Sequence, residues 1–240
     1  MTGSTRGIGL RIAENYFNKG YDVIFNSRNE KDLIKTCKKY PGSSGISADV
    51  TNYTEAENLV NEIVKQKGKL DIIICNVGSG KAKKKIPDIK EWHQSFDINF
   101  WSTVNIINSS KKILIKSNSS IICISSICGL ENIKGAPIPY SVAKSALNSF
   151  VVNQSKFFGN FKVRINAIAP GNIMFNGSTW SKKMKKSPSN TKKYINKNVA
   201  LKILGKTSDI SNMTLYLASD EAKYITGSIF KIDGGQLKSW

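Results

Sequence analysis

Several things are scarce in this 240-residue chain, and each scarcity excludes something. There is one histidine, and the four cysteines (Cys37, Cys75, Cys123 and Cys128) lack the paired spacing of a metal site, so no metal is expected. Cys75 and Cys123 lie inside apolar runs, which suits buried free thiols in a reducing, cytoplasmic setting. Cys128 has no histidine near it in sequence, which argues against a cysteine nucleophile. No apolar run reaches membrane-spanning length, and the first residues lack the apolar core of a secretory leader. Internal repeats and Gly/Pro-rich linkers are also missing, so a single domain over residues 1–240 is expected. Acidic residues are few. There are 17 against 36 Lys and Arg, a formal charge of +19.

That charge raises the question of nucleic acid, with Lys-rich stretches at Lys81–Lys85 and Lys182–Lys193. No helix-turn-helix, zinc finger or aromatic RNA-binding motif accompanies them, so solvated lysines are the preferred reading. Attraction of an anionic substrate or an acidic carrier protein is the other use such charge permits.

What is present alternates. "YDVIF" (Tyr21–Phe25), "GISADV" ending near Asp49, "LDIIIC" (Leu70–Cys75), "SIICIS" (Ser120–Ser125), Val163–Ile168 and Ser228–Ile232 read as strands. The Ile-dense runs do not alternate with polar residues, as befits strands covered on both faces. Helical patterning fits Ile8–Asn18, Glu30–Lys39, Thr54–Lys67, Glu91–Ile115, Tyr140–Phe158 and Asp209–Ala218. Strand and helix in turn predict an α/β fold, a doubly wound parallel sheet with helices on both faces. In such sheets ligands bind at the carboxyl ends of the strands.

Three short motifs fall at those ends. "TGSTRGIG" (Thr2–Gly9) places Gly3, Thr5, Arg6, Gly7, Ile8 and Gly9 at a helix start, where backbone N–H groups and the helix dipole favour a phosphate. "YSVAK" puts Tyr140 and Lys144 on one helix face. "SSICG" sets Ser125 and Ser126 at a strand end. Taken singly, these could be a common turn, a surface pair and a helix cap.

In order along the chain, "TGSTRGIG", "ADV" with Asp49, "CNVG" (Cys75–Gly78), "DIN" with Asn99, "SSICG", "YSVAK", "APG" (Ala169–Gly171) and "IDGG" (Ile232–Gly235) resemble the short-chain dehydrogenase/reductase family over the whole sequence. The resemblance implies a Rossmann-like domain, a nicotinamide cofactor and carbonyl–alcohol interconversion. It assigns Tyr140 as general acid/base, since a free phenol near pKa ~10 needs help at neutral pH. Lys144 would favour the phenolate and hold the nicotinamide ribose. Ser126 would hydrogen-bond the substrate oxygen, and Asn99 would hold a water linking the lysine to solvent. Cofactor contacts would come from the glycine turn, from Asp49 and Val50 at the adenine, from Asn76 and Gly78 along the trough, and from Pro170, Gly171 and Ile173. The resemblance also implies a homotetramer, or at least a dimer, through the helices carrying Asn99 and Tyr140.

The sequence departs from that pattern in two places. Where relatives often place a carboxamide-contacting threonine after the "PG" pair, this chain has Phe175. Only Met1 and Thr2 precede the glycine turn, so the family's central first strand is missing; the chain is expected to be a shortened version of a longer protein, with a vacant slot between the strands led by Tyr21 and Leu70. Cofactor choice can also be read: "YDVIF" ends in "NSRN", with no acid for ribose hydroxyls, while Arg28 could pair with a 2′-phosphate, so NADP is expected over NAD. Residues 172–199 align with the family's substrate-covering loop and hold Trp180, Met184 and Tyr194 among lysines. The substrate is expected to be a small carbonyl or alcohol, anionic or carrier-bound. The chain resembles both 3-oxoacyl-carrier-protein reductases and reductases of bacterial surface-sugar biosynthesis. Two functions stay open: an active NADP-dependent reductase, or a catalytically silent relative acting as a binding protein.

Overall fold

A computed structural model describes residues 1–81 and 86–238. The stretch Lys81–Lys85 therefore lies, apart from Lys81, outside the described residues.

The Ile-dense runs form the centre of the molecule. Strands β3 (Ile72–Cys75), β4 (Ser120–Ile124), β5 (Arg164–Pro170) and β8 (Ile229–Ile232) make a parallel sheet in that spatial order. Side chains of successive strand residues point to opposite faces, and here both faces are apolar. Ile121 and Cys123 pack toward α3 (Tyr53–Lys67), α5 (Ser102–Leu114) and α6 (Ile138–Gly159), meeting Leu59, Ile107 and Leu147. Ile122 and Ile124 pack toward α1 (Gly7–Asn18) and α9 (Thr207–Ala218), meeting Ile12, Ile210 and Leu217. That two-sided burial is why the pattern did not alternate.

β1 (Ile24–Ser27) and β2 (Ser44–Ser47) form a second, two-stranded parallel sheet beside α2 (Glu30–Cys37). As expected, β1 and β3 do not pair with each other. Residues 1–4 bridge them instead. The Met1 amino group donates to Ile24 O (3.0 Å), Thr2 N to Ile74 O (3.0 Å) and Ser4 N to Asn26 O (3.0 Å). Where a slot was expected, the backbone of residues 1–4 thus runs between β1 and β3.

The predicted helix over Glu91–Ile115 is unbroken but not uniformly α. It starts as α4 (Ile89–Phe96), widens into one π-turn at Asp97–Trp101 and continues as α5. The stretch 172–199 is also more regular than a loop. It holds β6 (Ile173–Met174), α7 (Thr179–Lys186) and α8 (Pro188–Asn198). β6 is anchored to β7 (Gly205–Lys206). The periodicity argument missed these helices because they are short and mostly solvated, so no strong apolar stripe marks them.

Candidate active site

Helix α6 opens with Pro137, Ile138 and Pro139, which fix the chain at a helix start where the lost N–H groups would have no partner anyway. This places Tyr140 in the first turn and Lys144 one turn on. Lys144 is 2% exposed, and its Nζ donates to Ile124 O at 2.8 Å. A Cβ added to Gly78 would sit 3.2 Å from both Lys144 Nζ and Asn99 Oδ1, so that loop lies close over both groups and a side chain there would press on them. Asn99 sits in the π-turn, a helix irregularity often found at functional sites. Its Oδ1 accepts from Ser79 N (2.8 Å), and its Nδ2 donates to Ser79 O (3.1 Å) and Ser95 O (2.9 Å).

The loop after β4 brings Ser126 beside Tyr140, near enough for its hydroxyl to act on the phenol. Ser126 caps the short turn at Ile127–Gly129, its Oγ accepting from Cys128 N at 3.2 Å. Ser125 fixes the loop from behind: its Oγ donates to Asn148 Oδ1 (2.6 Å), and Asn148 Nδ2 donates to Gly129 O (3.0 Å). A side chain at Gly129 would strike the Lys144 backbone. Asn148 was not singled out in the sequence; a polar residue on the buried face of α6 was the available signal.

The electrostatics differ from expectation. Burial pushes the Tyr140 phenol up to about 12, with the Ser126 hydroxyl opposing and the Cys128 thiol adding to the rise. Burial pulls the Lys144 ammonium down to about 8, against the influence of the Cys123 and Cys75 thiols beneath it. The expectation that Lys144 would lower the phenol is therefore not met: desolvation is the largest cause acting on it, and Lys144 is not among the groups that shift it. Tyr140 is held as a protonated donor. Cys75 and Cys123 are cross-strand neighbours and both buried, so beside the Ile124 carbonyl these thiols add only weak acceptors.

The glycine turn lies at the other end of the cleft. Gly3 and Gly7 have φ of +58° and +59°, a conformation other residues rarely adopt. A side chain at Gly9 would fall on Asn76 Nδ2 and the Gly3 carbonyl, so this glycine allows close packing. Asn76 is spent on the turn itself, its Nδ2 donating to Thr2 O (3.2 Å) and Gly3 O (3.0 Å). Asn26 holds the turn from β1. It is buried, its backbone N donates to Ser4 Oγ at 2.9 Å, and its Nδ2 donates to Ile46 O and Ala48 O. Sequence reasoning missed it, though a polar residue ending an apolar strand marked it. Thr5, exposed Arg6 and Ile8 flank the start of α1, whose first turn carries no acidic residue. No side chain of that turn competes for its N–H groups, and these donors with the glycines make a set whose chemistry suits a dinucleotide diphosphate.

Arg28, at the end of β1, is 72% exposed and its Nη1 donates to Asp49 Oδ2 at 3.3 Å. Burial works to raise the Asp49 carboxyl, but hydrogen bonds from the Thr51 backbone and hydroxyl, and then Arg28, hold it below its ordinary value. Val50 is buried, and its carbonyl accepts from Asn105 Nδ2 at 3.2 Å. Pro170 ends β5, Gly171 follows it and Ile173 opens β6; Gly171 N donates to Ile232 O at 2.9 Å, and no room is left there for a side chain beside Asp233.

Over the site lie α7 and α8. Trp180 and Tyr194 rings stand 5.3 Å apart, with Lys183 Nζ 4.5 Å from the Trp180 ring centre. Tyr194 OH accepts from Gln236 Nε2 (3.3 Å) and feels the Cys128 thiol, as Tyr140 does. The segment 172–199 contains seven lysines and no acidic residue. Among the described residues no cluster of potential metal ligands occurs.

Residues 3–236 match the family model described as "Enoyl-(Acyl carrier protein) reductase". The chain is 30% identical over 241 residues to the short-chain dehydrogenase/reductase SDRA of Arabidopsis thaliana, covering 98% of this chain and 92% of that protein. It is 29% identical over 242 residues to the 3-oxoacyl-[acyl-carrier-protein] reductase FabG of Staphylococcus epidermidis, covering 98% and 96%. Among solved structures, ElxO with NADP bound superposes with a TM-score of 0.90 at 26% identity, over 99% of this chain and 97% of that one. The Ser126–Tyr140–Lys144 cluster, the glycine cradle and a match running through both point to one conclusion: the chain belongs to the short-chain dehydrogenase/reductase family of oxidoreductases.

Proposed function

We propose that this protein reduces a carbonyl to a secondary alcohol with NADP as its cofactor and Tyr140 as proton donor. The observation that carries this reading is a protonated Tyr140 with Ser126 beside its hydroxyl and a buried lysine held at Ile124 O. The bound cofactor would supply hydride to the carbonyl carbon. Tyr140 donates its proton to the carbonyl oxygen, where negative charge develops, and Ser126 hydrogen-bonds the same oxygen. Two hydroxyls converging on one point suit a C=O group better than a C=C bond, which has no oxygen at the reacting carbons. Lys144, as ammonium, stabilises the phenolate left behind, and Asn99 stands beside it.

Gly3, Gly7, Gly9 and the start of α1 would hold the diphosphate, with Asp49 and Val50 near the adenine. Arg28 supports NADP over NAD, since no acid ends β1 and a guanidinium suits a 2′-phosphate; ElxO, a relative in fold and sequence, was solved with NADP. The acid-free, Lys-rich lid favours an anionic or carrier-bound substrate, in line with the name of the FabG relative. A cytoplasmic setting suits the free cysteines.

A homo-oligomer is part of the proposal. Ile89, Trp101, Val142, Val152 and Phe157 are exposed along α4, the π-turn and α6, an apolar face that a second copy would cover. Light scattering at micromolar concentration should report a dimer or tetramer; a stable monomer would contradict this.

The catalytic reading is tested by following NADPH oxidation with a 3-oxoacyl thioester and a panel of anionic ketones. Tyr140→Phe should lose about 10²–10⁴-fold in turnover while binding NADPH as the wild type does. A variant keeping more than about a tenth of the rate would remove Tyr140 from the role of acid.

A further inference from the structure

We propose that Phe175 is a latch on the cofactor cradle. Its ring covers the approach to Gly7 that a diphosphate needs, so cofactor binding must lift the ring and, with it, the start of the lid. The proposal rests on the NADP reading above.

In a dinucleotide cradle the middle glycine is required because the backbone must come close to the diphosphate. A Cβ built on Gly7 reports what already lies against that bare backbone. In this structure it would meet the Phe175 ring, 2.8 Å from Cε2, 3.1 Å from Cζ and 3.2 Å from Cδ2. Three ring atoms thus face the one position on the turn where bare backbone is needed. A hydrocarbon ring there gives the first-turn N–H groups no acceptor and denies the space to an anion. Ring and diphosphate cannot both lie against Gly7.

The ring is also geared to the lid. Phe175 is the first residue beyond β6, whose two residues are fixed to Gly205 and Lys206. On its other side it is tied to the cap of α7. Phe175 N donates to Ser178 Oγ (3.3 Å), Ser178 N donates to Phe175 O (3.0 Å), and Ser178 Oγ accepts from Ser181 N (3.0 Å). Displacing Phe175 therefore pulls on α7 while β6 stays put. Phe175 packs with the apolar cluster that includes Ile8 and Ile173, which holds the latched position. The threonine that relatives often place here would be too small and too polar to cover the cradle in this way.

If the latched form dominates, measured NADPH affinity is reduced by the unlatched fraction, and opening precedes binding. The test is stopped-flow NADPH fluorescence with wild-type protein and Phe175→Ala, with equilibrium titration of both. Wild type should show an observed binding rate that levels off as NADPH rises. Phe175→Ala should show a linear rise and a Kd lower by about tenfold. A linear wild-type rate, or a Kd in the variant that is unchanged or higher, overturns the latch while leaving the NADP reading intact. No NADPH binding by either protein overturns both. Should Phe175→Ala not fold, the shape of the wild-type rate plot decides alone.

Discussion

The two sheets of this molecule are built on different principles. The four-stranded sheet β3-β4-β5-β8 is a continuous ladder buried on both faces, and Lys144, Tyr140 and Ser126 sit directly at its carboxyl end. The two-stranded sheet β1-β2 shares no ladder with it: residues 1–4 and the side chains of Asn26, Ser4 and Asn76 bridge the two, and Phe25 packs in one apolar cluster with Ile74 and Ile122. Reaction chemistry is assigned to the half whose geometry is fixed by packing. Cofactor choice is assigned to the half whose carboxyl end is tied by a polar network in place of a ladder, with an exposed arginine at its tip. Substitutions in the first half should therefore change turnover, and those in the second should change cofactor affinity.

The largest expected effect comes from Lys144→Met. Turnover should fall at least about 10²-fold, because the phenolate loses its cation. The same change should stabilise the ligand-free protein. Lys144 has its pKa lowered to about 8 by burial, so the unfolded chain holds that proton more readily than the fold does. Methionine removes the buried charge and keeps most of the volume. The melting temperature should rise by at least about 2 °C, the shift for roughly 1 kcal/mol in a chain of this size. A drop in both turnover and melting temperature would mean that the lysine is part of the fold's support, and the contrast between the halves would fail.

Arg28→Ala should have a smaller and different effect. The preference for NADPH over NADH should fall by about ten- to a hundredfold, the worth of one charge-assisted hydrogen bond. The rate at saturating NADPH should stay near that of the wild type. Freed of Arg28, Asp49 should also titrate nearer its ordinary range, because one of the groups holding it down is gone. Equal affinity of the wild type for both cofactors would remove the assignment of 2′-phosphate recognition to this half.

How legible each half was follows from the same contrast. The Ile-dense strands could be placed by sequence because two-sided burial leaves a composition that few other elements share. Tyr140 and Lys144 could be paired because a helix puts residues four apart on one face. The π-turn at Asn99 had no such signal; one extra residue in a helix leaves the surrounding apolar pattern almost unchanged. The charge state of Tyr140 was also hidden, since it depends on how deeply the cleft is buried, and a nearby lysine alone suggests the opposite sign. The roles of Asn26 and Asn76 depend on which backbone groups the short opening segment leaves within reach. Phe175 was visible as a departure from the family pattern, but its contact with Gly7, 168 residues earlier in the chain, emerges only in three dimensions.

The central claim is that a protonated Tyr140 and a cationic Lys144, both at the end of the four-stranded sheet, carry out the reduction. The pH dependence of kcat/KM for carbonyl reduction at saturating NADPH tests it most directly. Tyr140 stays protonated up to about 12 and so does not limit the rate near neutrality. Lys144 loses its proton near pH 8. The predicted profile is flat below pH 7 and falls about tenfold per unit above roughly pH 8, as one essential ammonium is titrated. A profile that stays flat or rises through pH 9.5 would contradict the account.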